Sequence, residues 1–315
     1  MTVKQRLLWM AIGAGLVAAL LCPACGVLLT VAASWQGRDL ALGPAVAIVR
    51  VEGVISSGKP PIDPLNPPAG AYSDEVIEHL KQAEEDPNVK AVVLRVDSPG
   101  GSVVGSDEIH EQVLAMSKPV VVSMGELAAS GGYYVSAPAD EVFANPDTLT
   151  GSIGVISQFI HIDGLLEEYG VEVTTIKSGE FKDAGSLFRP MSDEEKAVWQ
   201  AIIDDAYEGF VQVVADGRKL PVDDVRELAD GRIYTGQQAL ELGLVDQLGN
   251  LPSAIQRAAE LGGIEGEPRI IEYEMPFNIF QGLMGLARPS HPAAEVIALL
   301  ERGHGPVLQY LYVGP

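Results

Sequence analysis

The sequence predicts an α/β fold, a parallel sheet covered by helices, preceded by one N-terminal transmembrane helix. Between residues 45 and 265, short runs of branched apolar residues alternate with segments of helical periodicity, which is typical of parallel strands joined by helices. Residues 7–33 contain no charged side chain, and a membrane-spanning helix needs about 20 apolar residues. We expect residues 1–43 to form the cytoplasmic N-terminus, anchor and linker, residues 44–275 the folded domain, and residues 276–315 a C-terminal tail.

The residues around the apolar segment predict its orientation. Lys4 and Arg6 precede it, and positive charges on this side favour a cytoplasmic N-terminus and an extracytoplasmic folded domain. Val31–Ala33 could instead end a cleaved signal peptide, but the apolar region of such a signal is only about 7–15 residues long. We therefore expect a retained anchor in the cell membrane. Cys22 and Cys25 lie inside this segment, which does not favour a redox pair.

Strands and helices alternate along the rest of the chain. The predicted strands are runs of mainly branched apolar residues: 45–55, 91–96, 119–123, a short strand near Val142, and 171–176. The predicted helices carry apolar residues at helical spacing: one with Val76, Ile77, Leu80 and Ala83, then 108–116, one after Ser130, one that Ser192 and Glu195 begin as a capping box, and 222–229, 235–242 and 253–261. In the capping-box helix we expect one stripe in the core: Trp199, Ile202, Ile203, Ala206, Phe210 and Val213.

The charge balance and the absent motifs exclude some classes of partner. The 43 Asp and Glu residues outnumber the 21 Lys and Arg residues and give a net charge of −22, whereas nucleic-acid binding needs a basic face. We expect an acidic, solvated surface and no nucleic-acid partner. The sequence has no His-Glu-x-x-His motif and no phosphate-binding Gly-Lys-Ser/Thr loop, so we predict no metal and no cofactor.

Ser130 and Lys182 are the candidate catalytic residues. A serine hydroxyl becomes a good nucleophile when a base removes its proton, and a lysine can be that base only in its neutral form. The reference pKa of lysine is about 10.4, so burial among apolar groups has to lower it. Phe181, Leu187 and Phe188 flank Lys182 and could supply apolar walls.

Glycines at two turns are candidate oxyanion donors. Gly131 lies at the predicted start of a helix, where backbone amides are unpaired and electropositive. The turn at Gly100 and Gly101 follows a buried strand and is the natural second donor, because glycine lets the backbone approach a substrate closely. Asp183 follows the candidate base in sequence and would stabilise its charged form, so we expect this carboxylate to point away.

Several motifs together resemble the signal peptide peptidase SppA family. They are Asp97–Gly101, Ala128–Tyr134, Thr150–Val155 and Lys177–Asp183, with further matches at Gly231–Gly236 and Ala239–Asp246. The resemblance covers residues 45–265 in order, and the combination is specific although each motif alone is weak. It implies a ClpP/crotonase-like fold of stacked ββα units for residues 44–275.

The resemblance also implies a reaction and the residues that carry it. It implies a serine endopeptidase in which Ser130 is the nucleophile, Lys182 is the general base and Ser152 assists the lysine. Lys177, the first lysine of its motif, is not a base in the family. The chain is similar to the short, single-domain form, which implies a ring of about eight subunits with each Ser-Lys dyad shared between neighbours. The implied partners are the membrane and peptide substrates, above all cleaved signal peptides.

Three alternatives stay open at this point. A Ser-His-Asp peptidase on the same fold would use one of the five histidines, none of which lies in a matching motif. A crotonase-type coenzyme A enzyme would share the fold and an oxyanion hole, but it needs neither a nucleophilic serine nor an anchor. A non-catalytic membrane scaffold would need neither Ser130 nor Lys182.

Overall fold

The computed structural model describes residues 43–61, 69–273 and 308–312. The predicted transmembrane helix and most of the predicted tail lie outside these residues. No helix in the described ranges is both long and apolar enough to cross a membrane. The strands of these ranges are β1 (Ala45–Glu52), β2 (Ile55–Ser56), β3 (Ala71–Tyr72), β4 (Val89–Ser98), β5 (Gly100–Ser102), β6 (Val120–Ala129), β7 (Glu141–Ala144), β8 (Leu149–Gly151), β9 (Ile233–Thr235), β10 (Gln247–Leu248), β11 (Arg269–Glu272) and β12 (Gln309–Leu311).

The helices lie between these strands. They are α1 (Ser73–Glu85), α2 (Val103–Leu114), α3 (Gly131–Ser136), α4 (Asp163–Glu168), a 3-10 turn at Glu180–Asp183, α5 (Asp193–Arg218), α6 (Val222–Leu228), α7 (Gly236–Glu241) and α8 (Leu251–Leu261). The main sheet has the order β10–β7–β6–β4–β1–β11, with β8 beside β6 and β9 beside β8. Every pairing in it is parallel except β8 with β9. The α/β fold predicted from the sequence is confirmed.

A second, small sheet gives the fold its repeated unit. Its order is β12–β5–β2–β3. Strand β1 is followed by β2 and β3 in the small sheet and then by helix α1, and strand β4 is followed by β5 and then by helix α2. Each of these units therefore consists of a long strand, one or two short strands in the other sheet, and a helix.

The main sheet is buried on both faces, which explains why its central strands are nearly uniform apolar runs. On one face Val46, Val93 and Phe143 pack against Ala254 and Ala258 of helix α8. The opposite face holds the larger core, in which the buried side chains of β1, β4 and β6 pack with residues from α1, α2, α3 and α5. Two-sided burial removes the alternation of polar and apolar residues, so these strands could be recognised as continuous runs.

Three predictions about elements were wrong. Helix α2 begins at Val103, earlier than predicted, because the Ser102 hydroxyl caps it by accepting from the Gly105 amide at 3.2 Å. Residues 171–176 form no strand, since no described strand pairs with them, and they are exposed. In α5 only the C-terminal half enters the core, through residues such as Phe210 and Val214, whereas Trp199 and Ile202 are not buried.

Candidate active site

Ser130 stands at a sharp corner between strand β6 and helix α3. Its backbone has φ 55° and ψ −117°, a conformation that costs a residue with a side chain about 1–3 kcal/mol. The corner is held on both sides: the Ser130 amide donates to the Gly151 carbonyl at 2.7 Å, and the Ser130 carbonyl accepts from the Tyr134 amide at 2.8 Å. Strain of this kind places a side chain at the carboxyl edge of the sheet in a fixed direction, as a nucleophile requires.

A cavity of about 450 Å³ opens beside this corner. Its wall contains Ser130 and Ser152 together with residues from four later parts of the chain: Gly154–Ile156, Tyr207, Ala229–Gly231, and Leu311 and Tyr312. Ser152 follows β8, is nearly buried, and also has a positive φ of 49°. Its amide donates to the Arg232 carbonyl at 2.8 Å. The structure therefore brings the predicted nucleophile and the predicted assisting serine to one cavity.

Two of the predicted oxyanion glycines, Gly100 and Gly131, meet at the same place, whereas a Cβ atom added to Gly101 would meet the backbone of Ile55. A Cβ atom added to Gly100, whose φ is +92°, would lie 2.5 Å from the Gly131 amide nitrogen and 2.0 Å from the Tyr310 carbonyl oxygen. No described residue accepts a hydrogen bond from the Gly131 amide. The Gly100 amide donates to the Ser98 hydroxyl at 3.0 Å. The Gly131 amide is thus free to donate a hydrogen bond to an oxyanion. Gly100, which has no side chain, lets a carbonyl group come close to that amide.

The carbonyl at this position belongs to strand β12, in the part of the chain predicted to be a tail. β12 is antiparallel to β5, with Tyr310 opposite Gly101. Two further backbone hydrogen bonds, at 3.0 and 3.1 Å, join Gln309 to Ile156. The local signal for this strand was a short run of apolar and aromatic residues at 307–313, interrupted only by Gln309. Periodicity alone cannot distinguish such a short run from a helical segment.

The side chain of Tyr310 fills a pocket lined by aromatic rings. It is almost fully buried, and its ring centroid lies 4.9 Å from that of Tyr134 and 4.6 Å from that of Phe210. Its hydroxyl donates to the Ala206 carbonyl at 3.0 Å. The burial raises the pKa of the Tyr310 hydroxyl above its usual range. The cleft therefore accommodates an extended backbone with a large aromatic side chain beside Ser130.

Lys182 does not lie at the cavity that contains Ser130. It is exposed on the 3-10 turn, it is not among the residues that line the cavity, and no hydrogen bond between described residues joins it to Ser130 or Ser152. The predicted Ser-Lys dyad is therefore not assembled within one copy of the described chain. The predicted flanking side chains, Phe181 and Phe188, are also exposed.

A cluster of charges beside Lys182 escaped the sequence-based prediction. The Asp183 carboxylate accepts from the Lys177 ammonium at 2.6 Å and from the Arg189 guanidinium at 2.7 and 2.9 Å. Arg189, more strongly, and Lys177 hold the pKa of the Asp183 carboxyl well below its usual range. The carboxylate is thus directed to these two cations, and Lys177 forms an ion pair with it.

Within the described residues, one group of side chains has the spacing of a metal site. Asp107, His110 and Glu111 lie on one turn of helix α2 with ligand atoms within 4.8 Å of one another. Burial lowers the pKa of the His110 imidazole. Asp107 already accepts a hydrogen bond from the Tyr134 hydroxyl at 3.0 Å, so this group also has a structural role beside the aromatic pocket.

Comparison with known proteins gives consistent matches. The sequence model described as peptidase family S49 matches residues 112–265, and the Clp protease model matches residues 66–149. The chain is 40% identical to a protein of Methanocaldococcus jannaschii whose name marks it as an unverified protease, over 82% of this chain and 83% of that protein. It is 48% identical to an Enterococcus faecium protein whose name marks it as an unverified signal peptide peptidase SppA, over 56% of this chain and 52% of that protein. It is also 34% identical to the chloroplastic serine protease SPPA of Arabidopsis thaliana, over 83% of this chain and 36% of that longer protein.

Proposed function

The chain belongs to peptidase family S49 and is a serine-type peptidase, and we propose that it is a membrane-anchored endopeptidase that degrades cleaved signal peptides and other membrane-associated peptides. Its catalytic groups in this proposal are a Ser130 nucleophile and a Lys182 base, with Ser152 assisting. One observation carries the proposal: a backbone carbonyl, that of Tyr310, lies against Gly100 and Gly131 beside the strained Ser130 corner.

The position of this carbonyl indicates how a peptide would bind. Strand β12 lies in the cleft as an extended chain, paired with β5 on one side and bridged to Ile156 on the other. A substrate bound in the same way would receive most of its binding energy from main-chain hydrogen bonds, which do not depend on its sequence. Its side chain at the Tyr310 position would enter the aromatic pocket. An enzyme that clears peptides of varied sequence needs this type of recognition.

In the proposed reaction the neutral amine of Lys182 takes the hydroxyl proton of Ser130 while the oxygen attacks the scissile carbonyl carbon. The carbonyl oxygen gains a negative charge, which the Gly131 amide stabilises, and the missing side chain of Gly100 lets the substrate backbone approach this amide closely. The Lys182 ammonium then gives its proton to the departing amine, and an ester to Ser130 forms. A water molecule, deprotonated by the same lysine, hydrolyses this ester and restores the serine.

The dyad forms between neighbouring subunits in this proposal. Lys182 lies in a segment, residues 158–190, that exposes several large apolar side chains: Ile160, Leu165, Tyr169, Val171, Ile176, Phe181 and Phe188. A monomer rarely exposes so many large apolar groups in one segment. Their burial against a second copy would desolvate the lysine and bring it to the Ser130 of that copy. A closed ring of about eight subunits would complete every site in this way.

Subunit mixing tests the shared dyad. The full-length protein in detergent, Ser130→Ala and Lys182→Ala would be assayed on a signal-peptide-like substrate, alone and after subunit exchange at equal amounts. We expect an active parent and two inactive variants. Because random mixing pairs a wild-type serine with a wild-type lysine at about one site in four, we expect the mixture to recover about a quarter of the parental activity.

The outcomes of this test separate the alternatives. No recovery on mixing would show that both residues act within one chain. Full activity of Lys182→Ala would rule out Lys182 as the base and would favour a Ser-His-Asp mechanism that uses one of the histidines. An inactive parent whose Ser130 does not react with a fluorophosphonate would instead favour a scaffold, and coenzyme A binding by that parent would favour a crotonase-type enzyme.

We also propose a single-pass location in the cell membrane, with the folded domain outside the cytoplasm. The uncharged segment at residues 7–33 and the preceding Lys4 and Arg6 support this location. The protein should sediment with membranes, resist release by high salt or carbonate, and be released by detergent. A protein that carbonate releases would contradict the retained anchor.

A further inference from the structure

Arg189 joins the turn that carries Lys182 to the start of helix α5. On one side its guanidinium donates two hydrogen bonds to Asp183, the residue after Lys182. On the other side it donates to both carboxylate oxygens of Glu195, one of them at 2.9 Å. Glu195 lies in the first turn of α5 and also closes the capping box with Ser192. A single planar cation thus holds two carboxylates by paired hydrogen bonds, which fixes its geometry more strongly than a lysine could.

Within the single described chain, hydrophobic packing does not hold the Lys182 turn in place. All residues from 171 to 182 are exposed, and the hydrogen bonds inside the turn, such as Lys182 amide to Gly179 carbonyl at 3.2 Å, are local. By contrast, the side chains of Asp183 and Glu195 are 13% and 4% exposed. The Arg189 contacts are therefore the shielded, directional link between this turn and a long helix.

Helix α5 anchors this link in the hydrophobic core. Its C-terminal half is anchored in the core through Phe210, Val211 and Val214, which are fully buried. A change in the length or direction of the Arg189 contacts would move the Lys182 turn relative to that helix. A misplacement of about 1 Å at a catalytic group can cost about 100-fold in rate.

Arg189 also controls the charge next to Lys182. The Asp183 carboxylate directly follows the lysine in sequence, and an uncompensated carboxylate close to an amine favours its protonated form. Arg189 is the main cause of the lowered pKa of Asp183, and Lys177 is the second. The negative charge of Asp183 is thus balanced by cations other than Lys182.

We propose that Arg189 is a positioning residue of the peptidase: it fixes the turn that presents Lys182 to Ser130, and it compensates the charge of Asp183. This inference rests on the proposed role of Lys182 as the base. Arg189 itself touches neither the nucleophile nor the cleft.

The test uses the full-length oligomer with Arg189→Gln, Arg189→Lys and the double variant Arg189→Gln/Asp183→Asn. We expect Arg189→Gln to lower kcat by about 10- to 100-fold with little change in KM, and to move the acid limb of the pH–kcat/KM profile to higher pH. Arg189→Lys should recover part of kcat. The double variant should return the acid limb towards the parental position, because the uncompensated carboxylate is gone, while kcat stays low.

Arg226→Gln is the matched control, since Arg226 bridges Glu208 and Asp223 at 2.7 and 2.8 Å in a similar manner. It should leave kcat and the pH profile unchanged. An Arg189→Gln enzyme with parental kcat and an unmoved acid limb would overturn the inference, and so would a kcat loss with no movement of that limb and no recovery in Arg189→Lys. Activity in Lys182→Ala, measured alongside, would instead overturn the proposed function.

Discussion

At the scale of single residues, the corner at Ser130 depends on backbone positions that only certain residues tolerate. Ser130 and Ser152 adopt positive φ with a side chain present, and both lie on the cavity wall. Such strain is retained where the surrounding structure fixes it and where a function uses it. Gly100 is the third special position, since backbone atoms of Gly131 and Tyr310 occupy the space of its missing Cβ.

Gly100→Ala should therefore abolish activity. The added methyl group would meet the Tyr310 carbonyl and the Gly131 amide, neither of which can rotate away as a side chain could. We expect kcat/KM to fall by about 100-fold or more, the size of the effect of losing an oxyanion donor, together with a lower melting temperature. Gly209→Ala is the control, because nothing lies within 4 Å of that position in helix α5. The control should keep full activity and gain about 0.5–1 kcal/mol in the free energy of unfolding, whereas equal behaviour of the two variants would contradict the geometry.

At the scale of elements, the beginning of helix α5 stabilises the fold by an amount that depends on pH. The Arg189 guanidinium, and then the Ser192 backbone amide, lower the pKa of the Glu195 carboxyl to about 2, whereas an unfolded glutamate has a pKa of about 4.3. A lowered folded-state pKa means that the ionised form stabilises the fold. This stabilisation is present above about pH 4.3 and is lost as the pH falls through about 2.

Glu195→Gln should accordingly lower the melting temperature at pH 7, and the difference from the parent should shrink as the pH falls towards 2. Calorimetric melting temperatures of both proteins across this range measure the effect. Glu194→Gln serves as the comparison, because Glu194 lies in the same helical turn but is exposed. A difference between Glu195→Gln and the parent that stays constant from pH 7 to pH 3 would show that the ion pair does not carry the stabilisation.

Strand β12 is the second element with a direct consequence for function, because it lies in the cleft. A chain that ends at residue 307 should leave the glycines beside Ser130 open and expose the pocket of Tyr134 and Phe210. We expect a lower KM for peptide substrates and a lower melting temperature. Tyr310→Ala, which keeps the strand but loses its buried ring, should change both quantities in the same direction by less. An unchanged KM in the shortened chain would show that peptides do not bind where β12 lies.

At the scale of the whole molecule, the described chain keeps the proposed nucleophile, Ser130, apart from the proposed base, Lys182. Ser130 lies in the cavity and Lys182 on an exposed turn among apolar side chains. The first half of helix α5 is also largely exposed. In the proposed oligomer, neighbouring copies would cover these surfaces and complete the proposed dyad, so activity and oligomer formation should be lost together.

Ile176→Asp tests this coupling. Ile176 is 95% exposed in the single chain, so a charge there should leave the fold of the subunit intact. A charge buried in an interface is costly, and we expect smaller particles by light scattering in detergent, together with the loss of peptidase activity. Leu114→Asp is the control, since Leu114 is also exposed but lies at the end of α2. A dispersed but fully active Ile176→Asp protein would contradict the shared dyad.

Much of the fold was predictable because its signals are local. Strands β1, β4 and β6 are apolar runs since both faces of the sheet are covered, and the Ser192–Glu195 capping box marks the start of α5 within four residues. The glycines that follow Ser130 likewise indicated the start of a helix at this corner. The prediction for residues 171–176 failed because a strand needs a partner, which a run of branched residues does not reveal.

The sequence by itself determined the central strands β1, β4 and β6, the corner at Ser130 and the capping box of α5, because each depends on residues a few positions apart. Only the tertiary structure placed Ser152 beside Ser130, set the Tyr310 carbonyl between Gly100 and Gly131, and turned Asp183 towards Arg189. It also separated Lys182 from Ser130 within the described chain. Except for the Asp183–Arg189 contact, which spans six positions in an irregular segment, these relations join residues far apart in sequence. They arise when whole elements pack, and no local pattern specifies which of them will meet.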